Sequence, residues 1–458
     1  MKMILLFLKR IRKPVDSNVK LQKKKSETKN NQDANLNESE IGNTGIIIDI
    51  PELLRTFTPD NFGYSFISHA HADHCPGGYS GWINDQDFGP LYPFPVLATE
   101  STLKLIQTRF QTILPNCHIP HPSSTDSAPI QEMLIPSFAR YMAWAKGHPL
   151  LHSMLPEYFN AFPVQSMWAW FIPNGHIFGS SGLCLATKKW LDENYTFQSQ
   201  GSLELESNSL DLRMPGEIIY LNEFNPLPRP HTLPCPPVRC RELLIDALFA
   251  DPRVTFPDPE QEFERLLKWI QQELQFHPVI IFCRELGKPQ WIIGAIGQQS
   301  TFFEKIPEGV VVVDAAEKRI LDYCASKGLN LPPILTKSEA RSCKYPQSKN
   351  YLLITELKDR DTPAIQKLIT ERGAVTAEMT GWCIDPSYRE EHPANAYFCL
   401  SDHIPFSHFR SYLESCEFTR VTLLQPPTPI IAHELRALGW NVRILPGTSE
   451  KIYDPDFF

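Results

Sequence analysis

Tyr64-Ser65-Phe66-Ile67-Ser68-His69-Ala70-His71-Ala72-Asp73-His74 is the stretch on which the reading of this chain turns. Tyr64–Ile67 predicts a strand that opens directly into a loop, and four metal-ligating side chains, His69, His71, Asp73 and His74, follow within six residues. A strand-end loop is not bound to helical or strand alternation, so it can turn all four side chains inward. Neutral imidazoles with a carboxylate suit zinc, or manganese and iron where oxygen donors increase. His69 and His71 suffice to start one site, and Asp73 and His74 a second. Two ions about 3.5–4 Å apart can clamp a phosphoryl or acyl centre. The competing account is a polar loop satisfied by backbone, and four ligand types at this spacing argue against it.

Outward from this loop, order is expected to begin near Gly45, with a strand at Ile46–Ile48 ending in Asp49. Residues 112–165 mix prolines and aromatics without clear period and are read as an irregular insertion. Trp168–Ile172 and Glu217–Leu221 read as strands, the first running into Pro173-Asn174-Gly175-His176, and Leu243–Ile245 is a strand ending at Asp246. Six prolines in 222–240 make that stretch a loop. Asp258-Pro259-Glu260-Gln261 starts a helix, with Asp as N-cap and Pro at the first helical position. Phe263, Leu266, Leu267, Ile270 and Leu274 then form one apolar stripe. Strands at Val279–Phe282, Val310–Val313 and Leu352–Thr355 alternate with helices, so 251–395 reads as a parallel α/β unit. Tyr397–Leu400 is a strand leading to Ser401-Asp402-His403. A helix over Phe406–Cys416, a strand at Val421–Leu424, a helix over Pro429–Leu438 and a strand at Val442–Leu445 close the chain.

The 458 residues are 42% apolar and 21% charged, an ordinary globular balance that excludes fibrous, collagen-like and wholly disordered classes. No apolar run is long enough to span a bilayer, so no membrane partner is expected. Proline is high, 41 residues, which favours rigid loops over long helices. The net charge of −8 divides into +8 over residues 1–30 and −16 over the rest. An acidic body gives no compositional support for nucleic-acid binding, so that reading must come from a site. Eleven cysteines without a CxxC pair argue against a disulfide framework and for a reducing, intracellular compartment, cytoplasmic or nuclear. Residues 1–44 read as a disordered basic and polar segment, and the absence of acids before Asp16 leaves organelle targeting open.

HxHxDH after an apolar strand resembles the signature of the metallo-β-lactamase fold superfamily. Gly175-His176-Ile177-Phe178-Gly179-Ser180 is similar to its third motif, and Asn222-Glu223-Phe224 stands at the place of its bridging acidic residue. Leu244-Ile245-Asp246, Gly287-Lys288-Pro289-Gln290 and Ser401-Asp402-His403 resemble motifs of the β-CASP nucleases. Ala98–Phe110 and Ala432–Trp440 are similar to the DNA-ligase-associated 3′ exonuclease subgroup, beside the DNA cross-link-repair nucleases. The fold so implied is α/β, a metallo-β-lactamase αβ/βα four-layer sandwich with an inserted α/β β-CASP domain. Residues 45–250 and 396–458 would form the first and 251–395 the cap.

The resemblance assigns His69, His71 and His176 to one Zn²⁺, held tightly. Asp73 and His74 go to a second, weaker ion, with Glu223 between the two; Mn²⁺ is an alternative metal. Asp49 would orient the histidine loop. His403 would protonate the leaving oxygen, with Asp246 bonded to it and Asp73 positioning the attacking water. Lys288 is a candidate phosphate contact, against the alternative of a solvated helix-start lysine. The implied activity is that of a metal-dependent nuclease hydrolysing phosphodiester bonds. Its expected partners are nucleic acid, DNA before RNA, and a DNA ligase or repair complex.

Two positions depart from the family pattern. Glu223 replaces an aspartate, which moves the carboxylate by about 1–1.5 Å. Gln425 stands where many members have a histidine on the second metal. Both leave room for the alternatives, a ribonuclease of the same branch or a catalytically degenerate nucleic-acid-binding scaffold. His118, His121, His148 and His152 lie in the irregular insertion and read as surface or satisfied histidines. Ser401, Asp402 and His403 do not read as a catalytic triad, because adjacent strand residues face opposite sides. The Lys23–Lys25 run could hold nucleic acid, against the more usual case of a solvated tail.

Overall fold

The computed structural model describes residues 4–7, 45–48, 62–71, 74, 96–110, 117–118, 128–164, 167–194, 212–299, 301–303, 309–342, 350–424, 426 and 428–445. Within them the chain is a mixed α/β structure built on three sheets.

The first sheet holds β1 (Ile4–Phe7), β2 (Gly45–Ile48), β3 (Phe62–Phe66), β4 (Val96–Leu97) and β5 (Cys117–His118), in that order. β1 runs antiparallel to β2 and the others are parallel to one another. The short apolar run at Ile4–Phe7, read from sequence as part of a disordered arm, is therefore an edge strand beside β2.

The second sheet takes β6 (Phe162–Val164), β7 (Met167–Pro173), β8 (Ser181–Thr187), β9 (Met214–Leu221) and β10 (Val238–Asp246). β6 to β9 pair antiparallel, and β9 to β10 parallel. The third sheet follows with β11 (Val279–Phe282), β12 (Val311–Val313), β13 (Ile334–Thr336), β14 (Leu352–Thr355), β15 (Val375–Met379) and β16 (Ala396–Phe398). It is wholly parallel, in the order β13-β12-β14-β11-β15-β16. β17 (Glu417–Leu424) and β18 (Val442–Ile444) then return to the second sheet beside β10.

The first two sheets share one core, in which Phe66 lies 5.6 Å from Phe171 and meets Tyr220 edge-on. The third sheet is buried on both faces. Val279 and Ile281 join one cluster while Ile280 and Phe282 join another, the continuous apolar pattern expected of a parallel sheet under helices. One of those helices, Pro259–Glu273, begins as its sequence dictates: the Asp258 carboxylate accepts from the Glu260 and Gln261 amides.

The insertion is not irregular throughout. A 17-residue helix, Ala128–Trp144, runs through it with Pro136 inside. Ile130, Leu134 and Tyr141 form its buried stripe, and Ala145 just past its end is buried as well. An interior proline costs about 3 kcal/mol, and each large apolar side chain buried returns about 1.5–3 kcal/mol, so the stripe wins. Among the described residues no helix is long and apolar enough to cross a membrane.

Candidate metal centre

Side chains gather at the carboxyl ends of parallel strands, where open α/β sheets place their ligand sites. His69, His71 and His74 follow β3, Glu223 follows β9, Asp246 ends β10 and His403 lies beyond β16. His176 sits in the connection between β7 and β8, a turn that requires glycine. Gly175 has φ +75°, and a Cβ there would lie 1.8 Å from the Asn225 carbonyl oxygen. Asn174, fully buried, ties this turn to the next: its amide donates to the Ser181 and Asn222 carbonyls while its oxygen accepts from the His176 amide.

His69, His71, His176 and Glu223 are all buried, and each brings one ligand atom to within 4.8 Å of the others. Glu223 Oε2 lies 2.8 Å from His176 Nε2, 3.0 Å from His69 Nε2 and 3.6 Å from His71 Nδ1, while Oε1 lies 3.2 Å from His74 Nε2. His71 Nδ1 is 2.9 Å from His69 Nε2 and 3.2 Å from His176 Nε2. Four-coordinate zinc with bonds of about 2.0–2.1 Å separates its nitrogen ligands by about 3.3–3.4 Å, close to what this set presents. Glu223 Oε2 is buried, and the ring nitrogens of His176 and His69 are its near polar neighbours. Convergent ring nitrogens around such an oxygen fit a shared cation, so the cluster could bind a metal ion. The neighbours of the rings set which nitrogen faces inward: Ser68 Oγ meets His69 Nδ1 at 2.8 Å, and the Leu286 carbonyl accepts from His71 Nε2 at 3.2 Å.

Protonation also favours ligation. Burial, helped by His74, pushes His69 down to about 4, and burial lowers His71 and His176 as well. Burial alone would raise the Glu223 carboxyl, but the facing histidines, His74 foremost, outweigh it and hold the group well below the ordinary carboxylate range. Neutral imidazoles around an ionised carboxylate are what a metal requires. Glu223 adopts φ +48°, a left-handed conformation rare outside glycine and common at functional sites. Phe224 anchors the turn against Tyr412 at 4.7 Å.

His403 stands beside this cluster, its ring 5.5 Å from that of His176. Its Nδ1–H donates to Asp246 Oδ2 at 2.8 Å. Burial lowers the pKa of the imidazole, but the charge and hydrogen bond of Asp246 outweigh it, so the net displacement is upward. Ser401 and Asp402 form no triad with it: Ser401 Oγ accepts from the His403 amide, and Asp402 faces Lys288 and Arg229.

Lys288 is not the solvated helix-start lysine of the alternative reading. It is buried, with Nζ 2.5 Å from Asp402 Oδ2, so its ammonium faces an internal carboxylate. His148 donates to the Arg229 carbonyl and His152 is exposed; neither joins the cluster. Asp49, Asp73, His121, Gln425 and Lys23–Lys25 lie outside the described residues, as does the side chain of His118. Sequence reading missed Asn174, the Leu286 carbonyl and Arg109, which donates to the Ala70 carbonyl and pairs with Glu285 at 2.5 Å. Asn174, beside the Gly175-His176 turn, and Arg109, within Ala98–Phe110, lay in stretches singled out from sequence, whereas Leu286 did not.

No family model matches the chain. Over 225 residues, 49% of its length, it is 21% identical to a protein of Opitutus terrae named "Probable DNA ligase". The matched segment is 20% of that relative, so the chain covers about a fifth of it.

Proposed function

We propose that this chain is a metal-dependent nuclease of the metallo-β-lactamase fold, β-CASP branch, hydrolysing phosphodiester bonds as a DNA exonuclease in repair or end processing. The convergence of His69, His71, His176 and Glu223, drawn from three separate strand ends, carries the reading. A relative named for DNA ligation supports DNA over RNA and a ligase or repair complex as partner. In this reading 45–250 and 396–458 form the catalytic unit and 251–395 the cap.

His69, His71 and His176 would hold one Zn²⁺ tightly, and Asp73 and His74 a second, weaker ion, with Glu223 facing both. Such an ion supplies Lewis acidity and lowers the pKa of water. The chain itself supplies the proton for the leaving oxygen. Asp246 fixes the His403 tautomer and favours imidazolium, leaving Nε2–H to be donated. Asp49 would steady the histidine loop and Asp73 would orient the attacking water.

A non-catalytic scaffold is the second reading, favoured by the position of Glu223. Its carboxylate reaches 2.8–3.6 Å from three imidazoles, where it can hold their rings together through hydrogen bonds without an ion. End-labelled DNA and RNA incubated with Zn²⁺ or Mn²⁺ separate the readings. Cleavage by the wild type and none by His71→Ala supports the nuclease. Equal cleavage by both removes it, and purified protein that takes up no metal favours the scaffold.

A further inference from the structure

The residue before His403 is gripped from two directions. Lys288 Nζ lies 2.5 Å from Asp402 Oδ2, and Arg229 Nη1 lies 3.4 Å from Oδ1. Arg229 Nη2 donates to the Ser401 carbonyl at 2.8 Å, and the Asn225 amide to the Asp402 carbonyl at 3.3 Å. All three charged groups are buried, and Arg229 is stacked on Trp291 at 3.9 Å. Two cations on one carboxylate are more than neutrality needs, and desolvating the extra charge is unfavourable. Lys288 opens the helix Lys288–Gln298 after β11, whereas Arg229 comes from the loop after β9. Gly287, with φ +95°, lets the backbone pass close to Ile177 in the His176 turn and to Asp402. Leu286, one residue earlier, accepts from His71. The stretch 286–288 therefore touches the His71, His176 and His403 loops together.

We infer that Lys288 and Arg229 clamp Asp402 so as to position His403 against the metal cluster, making them positioning residues for proton donation. The inference rests on the nuclease reading for what His403 does. It does not rest on that reading for the clamp itself. Lys288→Met leaves a balanced Arg229–Asp402 pair, so the fold is expected to survive. With the grip halved, His403 is held less closely, and a misplacement of about 1 Å lowers turnover by up to about 100-fold.

Hydrogen exchange on the metal-free protein and steady-state cleavage on the metal-loaded protein test this together, in Lys288→Met and Arg229→Gln. The expected result in either folded variant is faster amide exchange over 401–404 and a 10- to 100-fold lower kcat at unchanged KM. Lys288→Arg is expected to restore both. Wild-type exchange at 401–404 overturns the inference, as does a raised KM at constant kcat, which would instead mark Lys288 as a substrate contact. A wild type that cleaves nothing counts against the nuclease reading alone, since exchange still reports on the clamp.

Discussion

Replacing His176 with alanine removes one of four donors from the cluster. Four-ligand zinc sites have apparent binding free energies of about 10–16 kcal/mol at neutral pH. An equal share per donor is about 2.5–4 kcal/mol, roughly 10²–10³ in Kd. The substitution also deprives Glu223 of its nearest partner, at 2.8 Å. Linkage converts this into a melting measurement. With free Zn²⁺ at about 1,000 times the wild-type Kd, binding stabilises the fold by about 4.1 kcal/mol, and a Kd weakened by 10² leaves about 1.4 kcal/mol. Unfolding with and without Zn²⁺ is to be compared for both proteins, with a chromophoric chelator reporting Kd independently. Using the metal-dependent increment cancels whatever the lost imidazole does to packing. An increment in His176→Ala equal to that of the wild type would refute the assignment of His176, and a wild type without any increment would refute the site.

Glu223→Asn removes a buried carboxylate and places at φ +48° a residue that tolerates it better; it should shrink the Zn²⁺ increment about as much as His176→Ala does while leaving metal-free stability the same or higher, measured by urea unfolding. Gly175→Ala forces a Cβ to 1.8 Å from a carbonyl oxygen, so a loss on the order of 2–3 kcal/mol is expected in the same assay. Asp246→Asn tests the His403 pair by pH. Because the folded His403 pKa is raised, the pair's contribution is full below the unfolded value of about 6.5 and fades as pH rises through the folded value. The wild-type advantage over Asp246→Asn should therefore shrink between pH 6 and pH 9, and a constant difference would contradict the pairing.

Local rules were legible where local forces decide. Asp258 caps Pro259–Glu273 because its carboxylate needs only the next two or three amides, and β11 and β14 have the bounds their apolar runs suggest. The helix Ala128–Trp144 was hidden because Pro129 and Pro136 mask a stripe whose energy comes from distant partners, such as the Pro234 carbonyl that accepts from Tyr141. Ile4–Phe7 is too short to declare itself without its partner β2. The spacing of His69, His71 and His74 marks a ligand-rich loop by itself. That His176 and Glu223 meet it is encoded by no local pattern; the β7–β8 and β9 turns bring them there, and only resemblance anticipated it. The pairing of Lys288 with Asp402 was not legible because the two are 114 residues apart in the chain.

Charge around the cluster bears on how a phosphodiester would be held. Arg109, Arg229 and Lys288 each touch a loop of the site, and each faces a carboxylate: Glu285, Asp402 and Asp402 again. Paired cations project little field, and outside residues 1–30 the chain carries −16. On the proposed nuclease reading, backbone affinity for DNA without metal would then come mainly from the +8 of that first segment. Each phosphate contact contributes about 0.9 to the slope of log K against log salt. Replacing Lys23, Lys24 and Lys25 together with glutamine should flatten the slope of the metal-free protein by about 2–3, read by fluorescence anisotropy with a labelled duplex. A slope left steep by that change would place a basic track on the folded body and overturn this account of the charge.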